Sequence, residues 1–235
     1  MGENYKNLVY LGATILILSL GSYFLLKNVS LPNLKRQESF ESRFFQEVNL
    51  NVNLGNLPPL GFEGAEVKIV KFGDFHCPFC ALAYNYLYPE LEKYVSSQKV
   101  VFYFRDFPLE GLHPQAKKVH LASRCANEEG KYWEFHKEIY KEVFKAMNER
   151  RDYFFTGSDE YLLNLASRLG LNEEKFKTCL QEKKYEADIN KDLAEGNSYG
   201  VEGTPTFFII KKGKVYKGSG FVPELLPEFR NIIEK

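Results

Sequence analysis

The spacing of hydrophobic positions changes period several times along this chain. "AEVKIVKFGDF" (Ala65–Phe75) sets Val67, Ile69 and Phe72 against Glu66, Lys68 and Lys71, which reads as a half-buried strand. "KVVFYFRDF" (Lys99–Phe107) is β-branched and aromatic and reads as a second strand. "CALAYNYLYPELEKYV" (Cys80–Val95) lies between them with helical spacing, so the three make a βαβ unit. Helical periodicity then takes over at His113–Asn127, Tyr132–Met147, Ser158–Leu169, Asn172–Gln181 and Tyr185–Ser198. Gly130 and Gly170 punctuate this block, and Ser158 and Asn172 suit N-caps. "TPTFFII" (Thr204–Ile210) returns to a strand, "KKGK" (Lys211–Lys214) to a turn, and Val215–Gly220 to a hairpin partner. Pro223–Glu234 is a closing helix with proline at its start. Phe102, Phe104, Phe207, Phe208 and Ile209 read as sheet core.

The first part of the chain has a different pattern. Leu8–Leu26 is an uninterrupted uncharged run, long enough at about 1.5 Å per helical residue to match a bilayer core of roughly 30 Å. It reads as a transmembrane anchor, with a cleaved signal peptide as the alternative. "SLGS" (Ser19–Ser22) is the nearest small-residue cleavage pattern, and it lies inside the apolar run. Lys6 on one side and Lys27, Lys35 and Arg36 on the other leave orientation unspecified. Asn28 to Leu60, polar with three prolines, reads as a tether, within which Glu38–Val48 could form an amphipathic helix. The expected organisation is a short cytoplasmic N-terminus (1–7), anchor (8–26), tether (27–60), an α/β domain in two pieces (61–111 and 199–235) and an all-helical insertion (112–198).

Composition narrows the class. A 235-residue chain with 44% hydrophobic and 15% aromatic residues can fill a core and is not disordered. Its formal net charge of zero supplies no clustered basic face, so no nucleic-acid partner is expected.

The candidate chemistry sits in "FHCPFC" (Phe75–Cys80), where a strand hands over to a helix N-terminus. The thiolate is the reactive form of cysteine, and a helix N-terminus favours negative charge. Cys77 is placed at the cap, Pro78 suits the first helical position, and Cys80 follows one turn on, within reach of a disulfide. Read as a redox couple, Cys77 is an exposed nucleophile with a pKa below the free-thiol value of about 8.5, and Cys80 is a buried resolving thiol. A zinc site would need a second ligand pair; Cys125 and Cys179 are single, and His76, His113, His120 and His136 show no paired spacing, so no metal is expected. A structural staple is the other alternative, though so small a loop restricts the unfolded chain little. A second feature, "EGTPT" (Glu202–Thr206), opens a strand; Thr204–Pro205 reads either as a cis peptide or as an ordinary strand-opening proline.

With "KIVKFGDFHCPFC", "FRDFPL", "HPQAKKVHLASRCANEEGKYWEFH" and "GVEGTPTFFI" in this order, the chain from about Leu60 to Glu234 resembles the DsbA-like thiol:disulfide oxidoreductases of the thioredoxin superfamily. The resemblance implies a thioredoxin fold with an inserted all-helical domain, preceded here by the single N-terminal helix. It implies that Cys77 is the nucleophile, Cys80 the resolving cysteine and Thr204–Pro205 a cis peptide facing them, with the Thr204 backbone pairing with a substrate chain. No cofactor is implied beyond the Cys77–Cys80 disulfide. The implied partners are exported proteins with free cysteines and a membrane re-oxidase of the DsbB or vitamin K epoxide reductase type. Such a protein would be a monomer, held in the cell membrane by one span with its C-terminal domain outside the cytoplasm, in the periplasm.

Two positions depart from the family pattern. Phe79 stands where the best-known member has a histidine that helps stabilise the thiolate, with His76 just outside the motif. Lys71 stands six residues before Cys77, where relatives often carry a glutamate for proton transfer. Lys71 is expected to point to solvent; the alternative is a proton-transfer role with a lowered pKa. Asp74 is the nearest acid, or a turn residue. Some relatives carry a second disulfide in the helical block, so Cys125 and Cys179 are expected to pair in an oxidising compartment. The alternatives are buried free thiols and a second redox-active pair. A reductase or isomerase on the same fold, or a non-catalytic peptide-binding chaperone, are the competing functions; residues 28–60 are too short for the added domain through which isomerases usually dimerise.

Overall fold

In the computed structural model, residues 43–235 are described. They contain five strands and seven α-helices. The strands are β1 (Phe45–Val48), β2 (Val67–Gly73), β3 (Val100–Asp106), β4 (Thr206–Lys211) and β5 (Lys214–Ser219). The helices are α1 (Pro78–Ser96), α2 (Ala116–Asn127), α3 (Tyr132–Asn148), α4 (Asp159–Arg168), α5 (Glu173–Gln181), α6 (Glu186–Ser198) and α7 (Leu226–Glu234). Single 3₁₀ turns lie at Phe154–Gly157 and Pro223–Leu225. All five helices α2–α6 fall between β3 and β4, as the periodicity predicts. Among the described residues no helix is long and apolar enough to cross a membrane. The Leu8–Leu26 run and the first part of the 27–60 segment lie outside the described residues.

The sheet order is β1-β5-β4-β2-β3. β2 runs parallel to β3 and antiparallel to β4, and the other neighbours are antiparallel. The β4–β5 hairpin turns at Lys212–Gly213, both at positive φ (49° and 76°), the twist that two-residue hairpin turns require. Ser158 and Asn172 cap α4 and α5 by accepting from the N–H groups of Tyr161 and Lys175. Gly130 and Gly170, at φ of 72° and 74°, close α2 and α4 in the left-handed region that favours glycine.

Three expectations are corrected. β2 is not half-buried: it is an interior strand between β4 and β3, with both faces covered. Val67 and Ile69 face the helices, whereas Val70 and Phe72 join a second core on the opposite face. The expected helix at Glu38–Val48 is contradicted over its described part, because Phe45–Val48 is an edge strand on β5. The N–H groups of Arg43, Phe44 and Phe45 donate to the Glu228 carboxylate of α7, which fixes where this strand starts. Residues 43–60 are therefore part of the domain, not tether: Phe45, Val52 and Leu57 are core, and Leu60 makes an antiparallel bridge to Phe102 of β3.

Candidate active site

β2 delivers the chain to a tight turn, in which the Cys77 N–H donates to the Asp74 carbonyl at 3.1 Å. Cys77 is the N-cap of α1 with extended backbone (φ −75°, ψ 121°), and Pro78 takes the first helical position. The cap offers no side-chain oxygen, so the helix N-terminus faces a sulfur. Cys77 and Cys80 are unbonded thiols in this structure. Cys80 is fully buried, and Cys77 is only 4% exposed, more enclosed than an exposed nucleophile would be. Phe79, at 53% exposure, stands out from the surface between them and contributes no charge.

The lid over Cys77 is the Thr204–Pro205 peptide, which is cis. Cys77 Sγ lies 3.2 Å from the Thr204 carbonyl, to which it donates when protonated, and the Pro205 carbonyl accepts from the Gly220 N–H at 2.7 Å. The Thr204 hydroxyl is buried without another partner and stands by the sulfur.

These surroundings split the two thiols. The Cys80 thiol donates to the Cys77 sulfur and is the largest influence on it; with help from Thr204 it outweighs burial and holds the Cys77 pKa at about 6. Burial, reinforced by the Cys77 thiolate, pushes Cys80 well above the ordinary thiol range. One sulfur is thus a thiolate at neutral pH and the other a thiol.

Asp74 organises the approach to the motif. Its Oδ1 accepts from the His76 N–H at 2.8 Å, and its Oδ2 accepts from the Leu109 N–H and from His113 Nδ1, each at 2.8 Å. It is both a turn residue and a buried carboxylate. His76 Nε2 lies 2.8 Å from Thr156 Oγ1, whose own proton goes to the Tyr153 carbonyl. His76 Nε2 is therefore the protonated nitrogen. Burial lowers the His76 pKa to about 4, so it is neutral beside Cys77 and supplies no charge to the thiolate. His113 and Thr156 were not legible as site residues: only the helical insertion brings them here.

Lys71 is the main correction. It does not point to solvent; it is fully buried beneath the dithiol. Its Nζ has no hydrogen-bond partner and lies 4.7 Å, 5.3 Å and 5.7 Å from the ring centroids of Tyr140, Tyr88 and Phe104. Burial lowers its pKa, opposed by the charges that Cys80 and Cys77 can carry.

Away from this site, Cys125 of α2 and Cys179 of α5 form a disulfide. No cluster of metal-ligating side chains occurs among the described residues.

The family model described as thioredoxin matches residues 55–224. A probable disulfide bond formation protein D of Bacillus anthracis is 29% identical over 153 residues, 64% of this chain and 68% of that protein. A Na(+)/H(+) antiporter NhaA 3 of Salinispora tropica is 31% identical over 149 residues, 62% of this chain but 20% of the antiporter. This chain thus spans about a fifth of the length of that relative. The crystal structure of alpha-DsbA1 from Wolbachia pipientis superposes with a TM-score of 0.63 at 26% identity, over 77% of this chain and 92% of that one.

Proposed function

The chain belongs to the thioredoxin family, in its DsbA-like branch, and on that premise we propose that it is a thiol:disulfide oxidoreductase that introduces disulfides into exported proteins. The observation that carries this reading is the inequality of the two sulfurs: Cys77 at a helix cap under the cis Thr204–Pro205 peptide, ionised near neutral pH, with an un-ionised Cys80 behind it.

The inequality dictates the order of exchange. In the oxidised protein a substrate thiolate attacks Cys77, the less buried sulfur, and Cys80 leaves and takes a proton. A second substrate thiol, deprotonated, attacks the mixed disulfide at the substrate's own sulfur. Cys77 leaves as a thiolate, which the Cys80 thiol and Thr204 stabilise. The substrate loses two electrons and becomes a disulfide; the Cys77–Cys80 pair gains them. A stable leaving thiolate favours release of an oxidised substrate. Thr204, Pro205 and Phe79 line the approach to Cys77 and would hold the extended substrate chain.

A dithiol product must be re-oxidised, and a membrane re-oxidase of the DsbB or vitamin K epoxide reductase type suits an enzyme anchored by Leu8–Leu26 with its domain outside the cytoplasm. The test is the reduction potential of the Cys77–Cys80 pair in the full-length chain, equilibrated in glutathione buffers and read by alkylation and peptide mass. A value near the roughly −120 mV of DsbA supports the oxidase reading, whereas one near the roughly −270 mV of thioredoxin replaces it with a reductase or isomerase. Full activity in a Cys77→Ala variant would instead make the protein a peptide-binding chaperone.

A further inference from the structure

Lys71 is a buried amine that the exchange chemistry above leaves without a task. Its aliphatic stem comes off the interior strand β2, flanked in register by Phe104 of β3 and Phe207 of β4. Every described titratable group that faces it can be named. From α1 these are Cys77, Cys80 and Tyr88, and from α3 they are Tyr140 and His136. Burial pushes the two tyrosines far up and His136 far down, so all three are uncharged across the neutral range. The Asp74 carboxylate is turned to His113 and to the His76 and Leu109 amides. The only negative charge that can develop against Lys71 is therefore a thiolate of the dithiol.

A lone ammonium in such a place has a heavy desolvation cost, part of which a facing thiolate offsets. The two redox states differ in this respect, because the disulfide is uncharged and the dithiol carries the Cys77 thiolate. Resting on the oxidoreductase reading, we infer that Lys71 is the redox-linked counter-ion of the site: a neutral amine beside the Cys77–Cys80 disulfide and an ammonium beside the Cys77 thiolate.

The balance closes without another reactant. A substrate dithiol gives two electrons and two protons. The electrons break the Cys77–Cys80 bond; one proton goes to Cys80 and the other to Lys71. The products are a substrate disulfide, the Cys77 thiolate, the Cys80 thiol and a protonated Lys71. By stabilising the reduced state, Lys71 shifts the pair towards oxidising power, the direction in which a charge at position 79 would act and in which Phe79 cannot. Lys71 is a positioning residue in this scheme, since it touches no substrate atom.

The test counts protons taken up per disulfide reduced in the full-length chain, from the pH dependence of the reduction potential in the range above each protein's own Cys77 titration, which lies at about pH 6 in the wild type. The wild type is expected to take up one proton more than Lys71→Met. That variant is also expected to shift the equilibrium with glutathione at least tenfold towards the disulfide, about 30 mV for a two-electron couple. Its thiolate absorbance should titrate at higher pH. Lys71→Arg, charged in both states, should keep Cys77 low yet lose the extra proton. Equal proton counts in wild type and Lys71→Met, with Cys77 titrating alike in both, would overturn the inference. Because the thiolate titration needs no substrate, it separates this failure from that of the functional reading, which would show as a wild type inert to protein dithiols. In the oxidised form, where the amine faces no charge, its removal should not lower the melting temperature, so the Lys71→Met variant remains measurable.

Discussion

His113 Nδ1 donates to Asp74 Oδ2 at 2.8 Å, and this pair ties the start of the helical insertion to the turn that presents Cys77. Burial works to lower the His113 pKa, but the hydrogen bond and charge of Asp74 prevail and raise it. Burial likewise works to raise Asp74, and the His113 hydrogen bond prevails to lower it. His113→Phe would strand a buried carboxylate close to Cys77, whose thiolate Asp74 already disfavours. The expected outcome is a Cys77 titration at higher pH and a stability loss of about 3 kcal/mol, read by thiolate absorbance and urea unfolding. With its folded pKa raised, His113 stabilises fully below its unfolded pKa of about 6.5, and this contribution fades as pH rises through the folded value. A variant that unfolds at the wild-type urea concentration would contradict the pairing.

The Cys77 thiolate makes the reduced form's stability depend on pH in the opposite sense. A depressed folded pKa gives stability that is complete above the unfolded thiol value of about 9 and lost as pH falls to about 6. Cys80 opposes this only towards the top of the window, where the unfolded thiol begins to ionise and the buried one does not. The melting temperature of the reduced protein should therefore climb from about pH 6 to about pH 9 relative to reduced Cys77→Ser. Parallel curves would mean that Cys77 is an ordinary thiol.

Cys80 is the largest stabilising influence on that thiolate, so Cys80→Ala should move the Cys77 titration up from about 6. It should also let a mixed disulfide accumulate when the Cys77 thiolate attacks a substrate disulfide and expels a substrate thiolate, since no second sulfur remains to release the substrate. Trapped species on a non-reducing gel check the second point independently of the first.

The Cys125–Cys179 disulfide joins α2 to α5 across a sequence separation of 54. Restricting an unfolded loop of that length is worth about 4 kcal/mol in the chain-entropy account. Replacing both cysteines with alanine should lower stability by about 2–4 kcal/mol while leaving the potential of the Cys77–Cys80 pair where it is. A shifted potential would make the second pair part of the redox chemistry.

Arg105, Arg124, Asp106 and Asp192 form a buried ion network between β3, α2 and α6, with contacts such as Arg105–Asp192 at 2.7 Å and Arg124–Asp192 at 2.9 Å. Asp192→Ala leaves two buried guanidinium groups under-paired and should cost about 3–5 kcal/mol, with the Cys77 titration unmoved. Calorimetry and thiolate absorbance together separate this scaffold role from a catalytic one.

Strand–helix order, the insertion and the two thiols were legible because each is written in local periodicity or in one short motif. Lys71 was misplaced although its signal was present. In a strand, residues 67, 69 and 71 share a face, so Lys71 belongs with Val67 and Ile69 and not with Glu66 and Lys68. Reading Phe72 as the third inward residue broke that parity, and polarity then carried Lys71 outward. Phe45–Val48 was misread because its partner is β5, more than 160 residues away, and no local pattern records that pairing. His113 sat at an expected helix start, and nothing near it names Asp74 as its partner. These contacts depend on tertiary closure, which local propensity does not encode.

The segment 43–60 occupies both margins of the sheet: β1 covers β5 at one side, and Leu60 bridges Phe102 at the other. An uncovered margin is a template for any passing backbone, and the substrates proposed here are chains that have not finished folding. A terminal strand of only four residues at one side and the Leu60 bridge at the other shorten the ladder that an incompletely folded client could extend. A chain begun at residue 61 would bare β5 along its length and remove the bridge to Phe102, lengthening both open margins at once.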